Sequence, residues 1–355
     1  MKSAEVIFFS GFILFILLIL LVDLGVFNGR KKSHIIGFKE AIIWTSIWVA
    51  FALAFYIFIQ TNGNLIHGIK TNAQLQEVTH KYEHPIKLQS LDFDENIKVY
   101  NKNLSLEFIT GYLIEYALSV DNVFVMVLLF LAFKVQQKYY HRVLFWGILG
   151  ALIMRFIFIF LSAALIQQFS WVLYVFGGLL VYTGVKMFIS RNQDEKIETQ
   201  NHPIVKFAAK HFPVFPKYVG SHFLINKKGK RFFTPLFVVL LVIEFTDLIF
   251  AVDSVPAIFS VTKDPYIVFF SNIFAIIGLR SLFFLVMNVI NLFHYLKIGL
   301  SVLLSFIGLK MLFHTWLKEL GFTTAHSLYV VLIILSVSIL ASLIFPKKPV
   351  TIGEG

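Results

Sequence analysis

The sequence predicts an all-α protein that crosses a membrane many times. Hydrophobic residues make up 58% of the chain and charged residues only 14%, and the mean hydropathy is +0.79. An ordinary soluble domain has about 25% charged residues. The hydrophobic residues are also gathered into long runs, and a transmembrane helix needs about 20 mostly apolar residues. Both observations favour a polytopic membrane protein.

About nine apolar runs are long enough to form transmembrane helices. Their predicted limits are 4–26, 39–60, 106–133, 142–166, 171–190, 234–260, 266–292, 296–316 and 326–345. This divides the chain into two N-terminal helices in 1–60, a polar extracytoplasmic loop at 61–105, a three-helix unit at 106–190, a basic cytoplasmic loop at 191–232, a second three-helix unit at 233–316 and a C-terminal helix at 326–345.

Lysine and arginine are distributed unevenly between the two sides of these helices. The 191–232 loop carries nine of them, whereas the 61–105 loop carries five. Because cytoplasmic loops are enriched in Lys and Arg, the N-terminus is predicted outside and the C-terminus inside. The formal charge of +11 therefore indicates orientation and not a nucleic-acid partner. We expect a multi-pass protein of a bacterial inner or plasma membrane, with the lipid bilayer as its partner.

An internal repeat organises the central spans. The stretch TDLIFAVDSVPA (246–257) aligns with IEYALSVDNVFV (114–125), so that Asp247 matches Glu115 and Asp253 matches Asp121. The later spans match as well, in the segments around Arg155 and Arg280. Spans three to five and six to eight are therefore two copies of one unit. Since each copy has an odd number of spans, the copies are predicted to be inverted, an arrangement that places the site of a transporter near the midplane.

Five acidic residues fall inside predicted spans, and their presence needs a reason. Insertion of one such residue into a membrane at the centre of a helix costs roughly 2.5–3.5 kcal/mol. Such acids line a cavity, pair with cations or bind protons. Because Asp121 and Asp253 occupy the same place in the two copies, we expect them to meet near the pseudo-twofold axis. The candidate metal-ligating residues are Glu115, Asp121, Asn122, Glu244, Asp247 and Asp253.

Two further features surround these acids. Arg155 and Arg280, which occupy matching positions, are predicted to balance the charge of the carboxylates, with anion binding as the alternative. Pro256 removes a backbone hydrogen bond and is expected to kink or unwind the helix beside Asp253.

The side chains of these segments are ligands that suit hard cations. They offer carboxylate, amide and backbone oxygens but no histidine, and the whole chain has no cysteine. Oxygen ligands suit Mn²⁺, Mg²⁺ and Ca²⁺ and disfavour Cu⁺ and Zn²⁺. The residues alone do not choose among the first three ions.

The segments GYLIEYALSVDNVFV, HRVLFWGILGALIMR, IEFTDLIFAVDSVPAIF and SNIFAIIGLRSLFFL resemble the signature segments of the TerC/Alx family. That resemblance implies an integral membrane protein related to the LysE transporter superfamily. It also implies a link to tellurium resistance and manganese homeostasis, with Mn²⁺ export as the activity. Carried over to this sequence, it assigns the acidic positions to Glu115 and Asp121 and to Glu244, Asp247 and Asp253.

Three functions stay open at this point. The first is export of a divalent cation, above all Mn²⁺, in exchange for protons through the same carboxylates. The second is transport of an anion, such as an oxyanion of the tellurite type, or of a small solute by way of Arg155 and Arg280. The third is a membrane scaffold that assists insertion or metallation of other membrane proteins. The sequence has no hydrolase triad, Walker loop or HExxH motif, so we expect neither an enzyme nor a permanently bound cofactor.

Overall fold

The computed structural model describes residues 2–23, 37–88, 92–169, 171–190, 203–227, 229–289 and 295–344. Most of these residues are helical. The first helices are α1 (Lys2–Asp23), α2 (Phe38–Asn62), α3 (Asn64–His67), α4 (Asn72–Lys81), α5 (Phe93–Ala132), α6 (Tyr140–Gln168) and α7 (Val172–Ile189). The later helices are α8 (Pro203–His211), α9 (Pro235–Phe259), α10 (Pro265–Ile277), α11 (Leu279–Val289), α12 (Leu296–Leu312), α13 (His314–Glu319) and α14 (Thr324–Ile344). An antiparallel hairpin is formed by β1 (Leu224–Lys227) and β2 (Lys230–Phe233).

The predicted polytopic helical architecture is confirmed, whereas the count of nine spans stays a prediction. Among the described residues, six helices are long and apolar enough to cross a membrane: α2, α5, α6, α7, α9 and α14. The pair α10 and α11, bent by 47°, makes a seventh if it is one span. The remaining two predicted spans are occupied by α1 and α12. The apolar part of α1 that is described is shorter than the six long helices, and so is α12, which has 17 residues.

The prediction of a polar loop at 61–105 was wrong in its secondary structure. This segment contains α3 and α4, and its last residues belong to α5, which begins at Phe93 and not at 106. The side chain of Asp92 accepts a hydrogen bond from the backbone N–H of Asp94 (3.0 Å), an N-cap that starts the helix before the apolar run. The 191–232 loop likewise holds α8 and nearly all of the hairpin. Its residues 191–202 and 228 lie outside the described part of the chain.

Of the kink or unwound turn expected beside Asp253, the unwound turn was wrong, whereas the kink stays a prediction. Helix α9 continues without an unwound turn from Pro235 to Phe259, with Pro256 inside it. The break in the second copy occurs instead at Gly278, between α10 and α11.

The helices of the two proposed copies pack reciprocally. Helix α5 packs on α10 and its counterpart α9 packs on α6, while α5 and α9 also contact each other. The third helices of the two copies, α7 and α12, pack closely along each other. Reciprocal contacts of this kind are what two copies related by a twofold axis produce. The inverted orientation of the copies stays a prediction.

Glycines permit the close contact of α7 with α12. A Cβ atom at Gly308 would lie 2.7 Å from both the carbonyl oxygen of Gly177 and the backbone nitrogen of Val181. A Cβ at Gly177 would in turn lie 3.0 Å from the carbonyl oxygen of Gly308. Because these neighbours are backbone atoms, the helices approach this closely only without side chains at the contact.

The connecting segments gather at two opposite ends of the bundle. Helix α5, about 60 Å long, separates these ends. About 21 Å from its start, Glu107 is bonded to Thr262, which precedes α10. At its other end the carbonyl of Phe133 accepts a hydrogen bond from Tyr218, which lies between α8 and the hairpin. We call these the outer and inner ends after the predicted topology; which of them faces the cytoplasm stays a prediction.

Candidate functional site

A fully buried arginine lies where α5, α6, α9 and α10 meet. Arg155 on α6 is 0% exposed, and its guanidinium pairs with the carboxylate of Glu115 on α5. Its Nη2 donates to Oδ1 of Asp247 on α9 at 3.4 Å, and its Nη1 donates to Oδ1 of Asn272 on α10 at 3.2 Å and to Oγ of Ser254 on α9 at 3.4 Å. We refer to these five buried residues as the Arg155 cluster.

The Arg155 cluster joins matching positions of the two copies. Glu115 and Asp247 align in the repeat, and both use Arg155 as their counter-ion. The charge-balancing role of this arginine stays a prediction. Arg280, its counterpart, lies half-buried in α11, which packs against α5 and α6.

Several polar atoms of the cluster have no hydrogen-bond partner among the described residues. They are Oε2 of Glu115, Oδ2 of Asp247, Nε of Arg155 and Nδ2 of Asn272. One guanidinium here faces two carboxylates, and each carboxylate has an oxygen that no described residue bonds. Such a site attracts a cation more readily than an anion.

The other predicted ligands lie at separate places around the cluster. Asp253 is half-buried and accepts a hydrogen bond from Thr183 of α7 (3.1 Å). Glu244 is half-buried on α9, where its carboxylate occupies the space that a Cβ at Gly150 would take. On α5, Asp121 is half-buried and Asn122 is buried.

The structure thus brings together some of the predicted residues and not others. Glu115 and Asp247 meet, whereas Asp253 is bonded to α7. In the part of the chain that is described, no group of three or more His, Asp or Glu side chains is arranged to hold a metal ion. A single site formed by all six predicted ligands is therefore not observed in this arrangement, and the roles of these residues stay predictions.

Sequence reasoning missed a second group of buried ionisable residues, at the outer end. His67 lies between Glu5 and Asp264, and His84 is bonded to Glu107 (2.9 Å). Burial alone lowers the pKa of His84, but the neighbouring Glu107 carboxylate outweighs it and raises the pKa. These histidines show no regular spacing in the sequence. Their partners are up to 197 residues away in sequence, so only their position in a segment between spans was visible beforehand.

Comparison with known proteins identifies the family of this chain. Residues 100–349 match the Integral membrane protein TerC family, a stretch that begins within α5 and extends past the end of α14. The chain belongs to the TerC family.

Relatives of this TerC-family protein are found in several bacteria. An uncharacterized membrane protein of Myxococcus xanthus is 41% identical over 335 residues, which cover 94% of this chain and 91% of the relative. The putative membrane-bound redox modulator Alx of Escherichia coli K12 is 39% identical over 308 residues, 85% of this chain and 84% of the relative. An uncharacterized membrane protein of Rickettsia felis is 35% identical over 326 residues, 92% and 94% of the two chains. No solved structure matches this chain. The protein is thus an integral, multi-pass membrane protein.

Proposed function

We propose that this TerC-family protein is a membrane transporter that exports a divalent cation in exchange for protons, with Mn²⁺ as the favoured substrate. The observation that carries the proposal is the meeting of Glu115 and Asp247. They occupy matching positions in two copies of one unit, are buried together, and each has a carboxylate oxygen that no described residue bonds. Acids duplicated at the interface of two repeats are typical of ion pathways through membranes.

The charge of the Arg155 cluster supports a cation in preference to an anion. The guanidinium of Arg155 already contacts two carboxylates of its own chain. An oxyanion at this arginine would have to displace one of them and leave it buried without a counter-ion, which costs roughly 3–5 kcal/mol. Transport of an oxyanion through Arg155 is therefore the weaker proposal.

In the proposed mechanism, the carboxylates of Asp121 and Asp253 bind the transported ion. Each lies six residues after a cluster acid on the same helix, a rise of about 9 Å. Both are half-buried, so they are more accessible to a hydrated ion than Glu115 or Asp247. Movement of one copy against the other would expose these acids to each side in turn. Arg155 acts as the resident counter-cation of the interior while this happens.

The identity of the ion rests on ligand chemistry and on the family. Carboxylate and amide oxygens without sulfur favour Mn²⁺, Mg²⁺ or Ca²⁺. Resemblance to proteins of manganese homeostasis and tellurium resistance selects Mn²⁺ among these. Protons compete with metal for carboxylates, so acidification of the receiving side should release the ion there.

The name of the Alx relatives suggests a redox role, which is a second candidate for this chain. The chain contains no cysteine, so it cannot carry out thiol–disulfide exchange by itself. A redox effect would then be a consequence of another activity, such as control of metal content. A scaffold that inserts or metallates other membrane proteins is the third candidate.

The deciding experiment is Mn²⁺ flux in proteoliposomes under an imposed pH gradient. Asp121→Asn and Asp253→Asn should each abolish flux, because Asn keeps the shape but removes the charge that attracts the ion. Asp94→Asn is the matched control, since Asp94 is exposed in the first turn of α5 and should be dispensable. Full activity in both Asp121→Asn and Asp253→Asn would contradict the proposal. A wild-type protein that moves tellurite but no Mn²⁺ would favour the anion alternative, and one that moves neither would favour the scaffold.

A further inference from the structure

His67 joins three distant parts of the chain at the outer end of the bundle. The imidazole belongs to α3 and is 0% exposed. Its Nδ1 lies 3.0 Å from Oε1 of Glu5 on α1, and its Nε2 lies 2.7 Å from Oδ2 of Asp264. Asp264 lies in the short connector, residues 260–264, between α9 and α10. One side chain therefore bonds to α1 on one side and to this connector on the other.

The two carboxylate partners of His67 suit a charged imidazole. A neutral ring has one N–H donor and one acceptor nitrogen, whereas the imidazolium has two donors. Both partners of His67 are carboxylates, which accept hydrogen bonds when ionised. Burial by itself lowers the pKa of His67, but Asp264 and Glu5 outweigh burial and raise the pKa to about 9. Burial likewise acts to raise the pKa of Asp264, and His67 outweighs it and holds that pKa low.

Two aromatic rings and several charged groups surround His67 and the connector. The rings of Tyr82 and Tyr266 pack against the imidazole, with centroids 5.3 Å and 5.4 Å away. Burial raises the pKa of Tyr82, so its phenol keeps its proton above neutral pH. Among the described residues, the charged neighbours include Lys81, which interacts with Glu5, and His84, which interacts with Asp264 and His67. The connector itself also accepts a hydrogen bond from Lys310 at the carbonyl of Ser260 (2.7 Å), and its Lys263 pairs with Glu83 (2.6 Å).

The connector held by His67 is linked to the helices of the Arg155 cluster. Oδ1 of Asp264 accepts a hydrogen bond from the backbone N–H of Tyr266 (3.0 Å), which caps the start of α10. The backbone N–H of Asp264 donates to Oγ1 of Thr262 (3.2 Å), and this hydroxyl donates to Oε2 of Glu107 on α5 (2.6 Å). The connector thus joins α9, which carries Asp247, to α10, and ties both to α5.

We propose that His67 is a proton-binding latch: with its proton it ties α1 and α3 to the connector between α9 and α10, and loss of that proton releases the connector. A neutral imidazole donates to one carboxylate only, so its acceptor nitrogen faces the other carboxylate inside the protein. Two buried anions without a cation between them repel each other and lack a bond. The outer end of the bundle should therefore loosen as the pH rises.

The sign of the pH dependence follows from the direction of the shift. The folded pKa of His67, about 9, lies above the value of about 6.5 for an unfolded chain. Stability from this latch is fully present below the unfolded pKa and is lost as the pH rises through about 9. This prediction concerns folding and not transport, so it can fail or succeed independently of the proposed function.

The first test compares thermal unfolding of purified variants from about pH 6 to about pH 11. His67→Gln cannot become charged, so the wild-type protein should be the more stable below pH 9 and should lose that advantage above it. His80→Gln is the matched control, because His80 is exposed at the end of α4. His84→Gln shows how much of the pH dependence comes from the second buried histidine. A difference between wild type and His67→Gln that does not change with pH would overturn the proposal.

Two further measurements keep the latch testable if His67→Gln does not fold. Asp264→Asn retains an N-cap side chain but removes one carboxylate, so the alkaline loss of stability should move to lower pH. In the wild-type protein, hydrogen exchange of residues 260–266, corrected for the intrinsic effect of pH, should accelerate above about pH 9. An unmoved transition in Asp264→Asn, or constant protection of this segment across the range, would contradict the latch.

Discussion

At the scale of single residues, buried charges in this protein are compensated by partners that are distant in sequence. Arg155 lies 40 residues from Glu115 and 92 from Asp247, yet all three are buried together. Charged side chains in a membrane interior are expensive unless they pair with each other. The pairing explains how one span can carry an arginine and another an acid at the same depth of the bundle.

Loss of Arg155 should therefore be far more damaging than loss of an exposed arginine. Arg155→Gln leaves two buried carboxylates without their cation, and we expect a loss of roughly 3–5 kcal/mol in the free energy of unfolding. Arg142→Gln, a change at an exposed residue bonded to Ser221, should stay within about 0.5 kcal/mol of wild type. Thermal unfolding in detergent measures both.

The cause of that loss can be checked with a combined variant. In Arg155→Gln/Glu115→Gln/Asp247→Asn the uncompensated charges are gone, so a large part of the stability should return. Equal stability of the two single arginine variants would show that Arg155 is not an essential counter-ion. No recovery in the triple variant would show that its packing matters more than its charge.

At the scale of elements, the two proposed copies are held together by close helix packing as well as by charge. Helices α7 and α12 approach each other at Gly177 and Gly308, where backbone atoms face backbone atoms. In a bilayer, such contacts stabilise helix pairs because lipid gives little hydrophobic driving force for association. Helix α7 is also tied to α9, because the hydroxyl of Thr183 donates a hydrogen bond to Asp253.

A single methyl group at this contact should separate the helices. Gly308→Ala places a Cβ 2.7 Å from two backbone atoms of α7, so the helices must shift, at a cost of typically 1–3 kcal/mol. Gly178→Ala is the matched control, because a Cβ there has no neighbour within 4 Å. Alanine also favours the helix over glycine by roughly 0.8–1.0 kcal/mol, so this control should be neutral or stabilising.

Thermal unfolding of the two glycine variants gives the comparison. The expected order of stability is Gly178→Ala at or above wild type, with Gly308→Ala below both. If Gly308→Ala were as stable as Gly178→Ala, the α7–α12 contact would be less tight than its distances indicate.

At the scale of the whole molecule, the connecting segments form two separate ends. The outer end contains the Glu5, His67 and Asp264 contacts, and the inner end contains the bond from Tyr218 to Phe133 and that from Arg142 to Ser221. Because α5 runs between them, these groups lie on opposite sides of the bundle. The Lys and Arg bias predicts that the inner end is cytoplasmic.

That topology is open to a direct labelling test. The chain lacks cysteine, so single cysteines at Gln76 and Lys217, both exposed, provide unique reporters at the two ends. A membrane-impermeant thiol reagent added outside intact cells should label the Gln76→Cys protein and not the Lys217→Cys protein. Labelling of only Lys217→Cys would reverse the predicted orientation, and labelling of both would contradict the separation of the ends.

The sequence by itself determined the features that depend on local composition. The length of each apolar run predicted where long helices occur, since spanning a bilayer requires a minimum number of apolar residues. The repeat around Asp121 and Asp253 was visible because its residues follow one another in order. By contrast, the helices within 61–105 were missed because their sequences are polar, and amphipathic or polar helices give no long apolar run.

Only the tertiary structure decided which of these residues meet. Arg155 and Arg280 were equivalent in sequence, but packing of α6 against α9 and α10 brings Arg155 to Glu115 and Asp247. The bond of His67 to Asp264 spans 197 residues, and no spacing rule extends across such a distance. Ion pairs depend on distances of a few ångströms between atoms, and these distances are set by how the helices pack and not by their order along the chain.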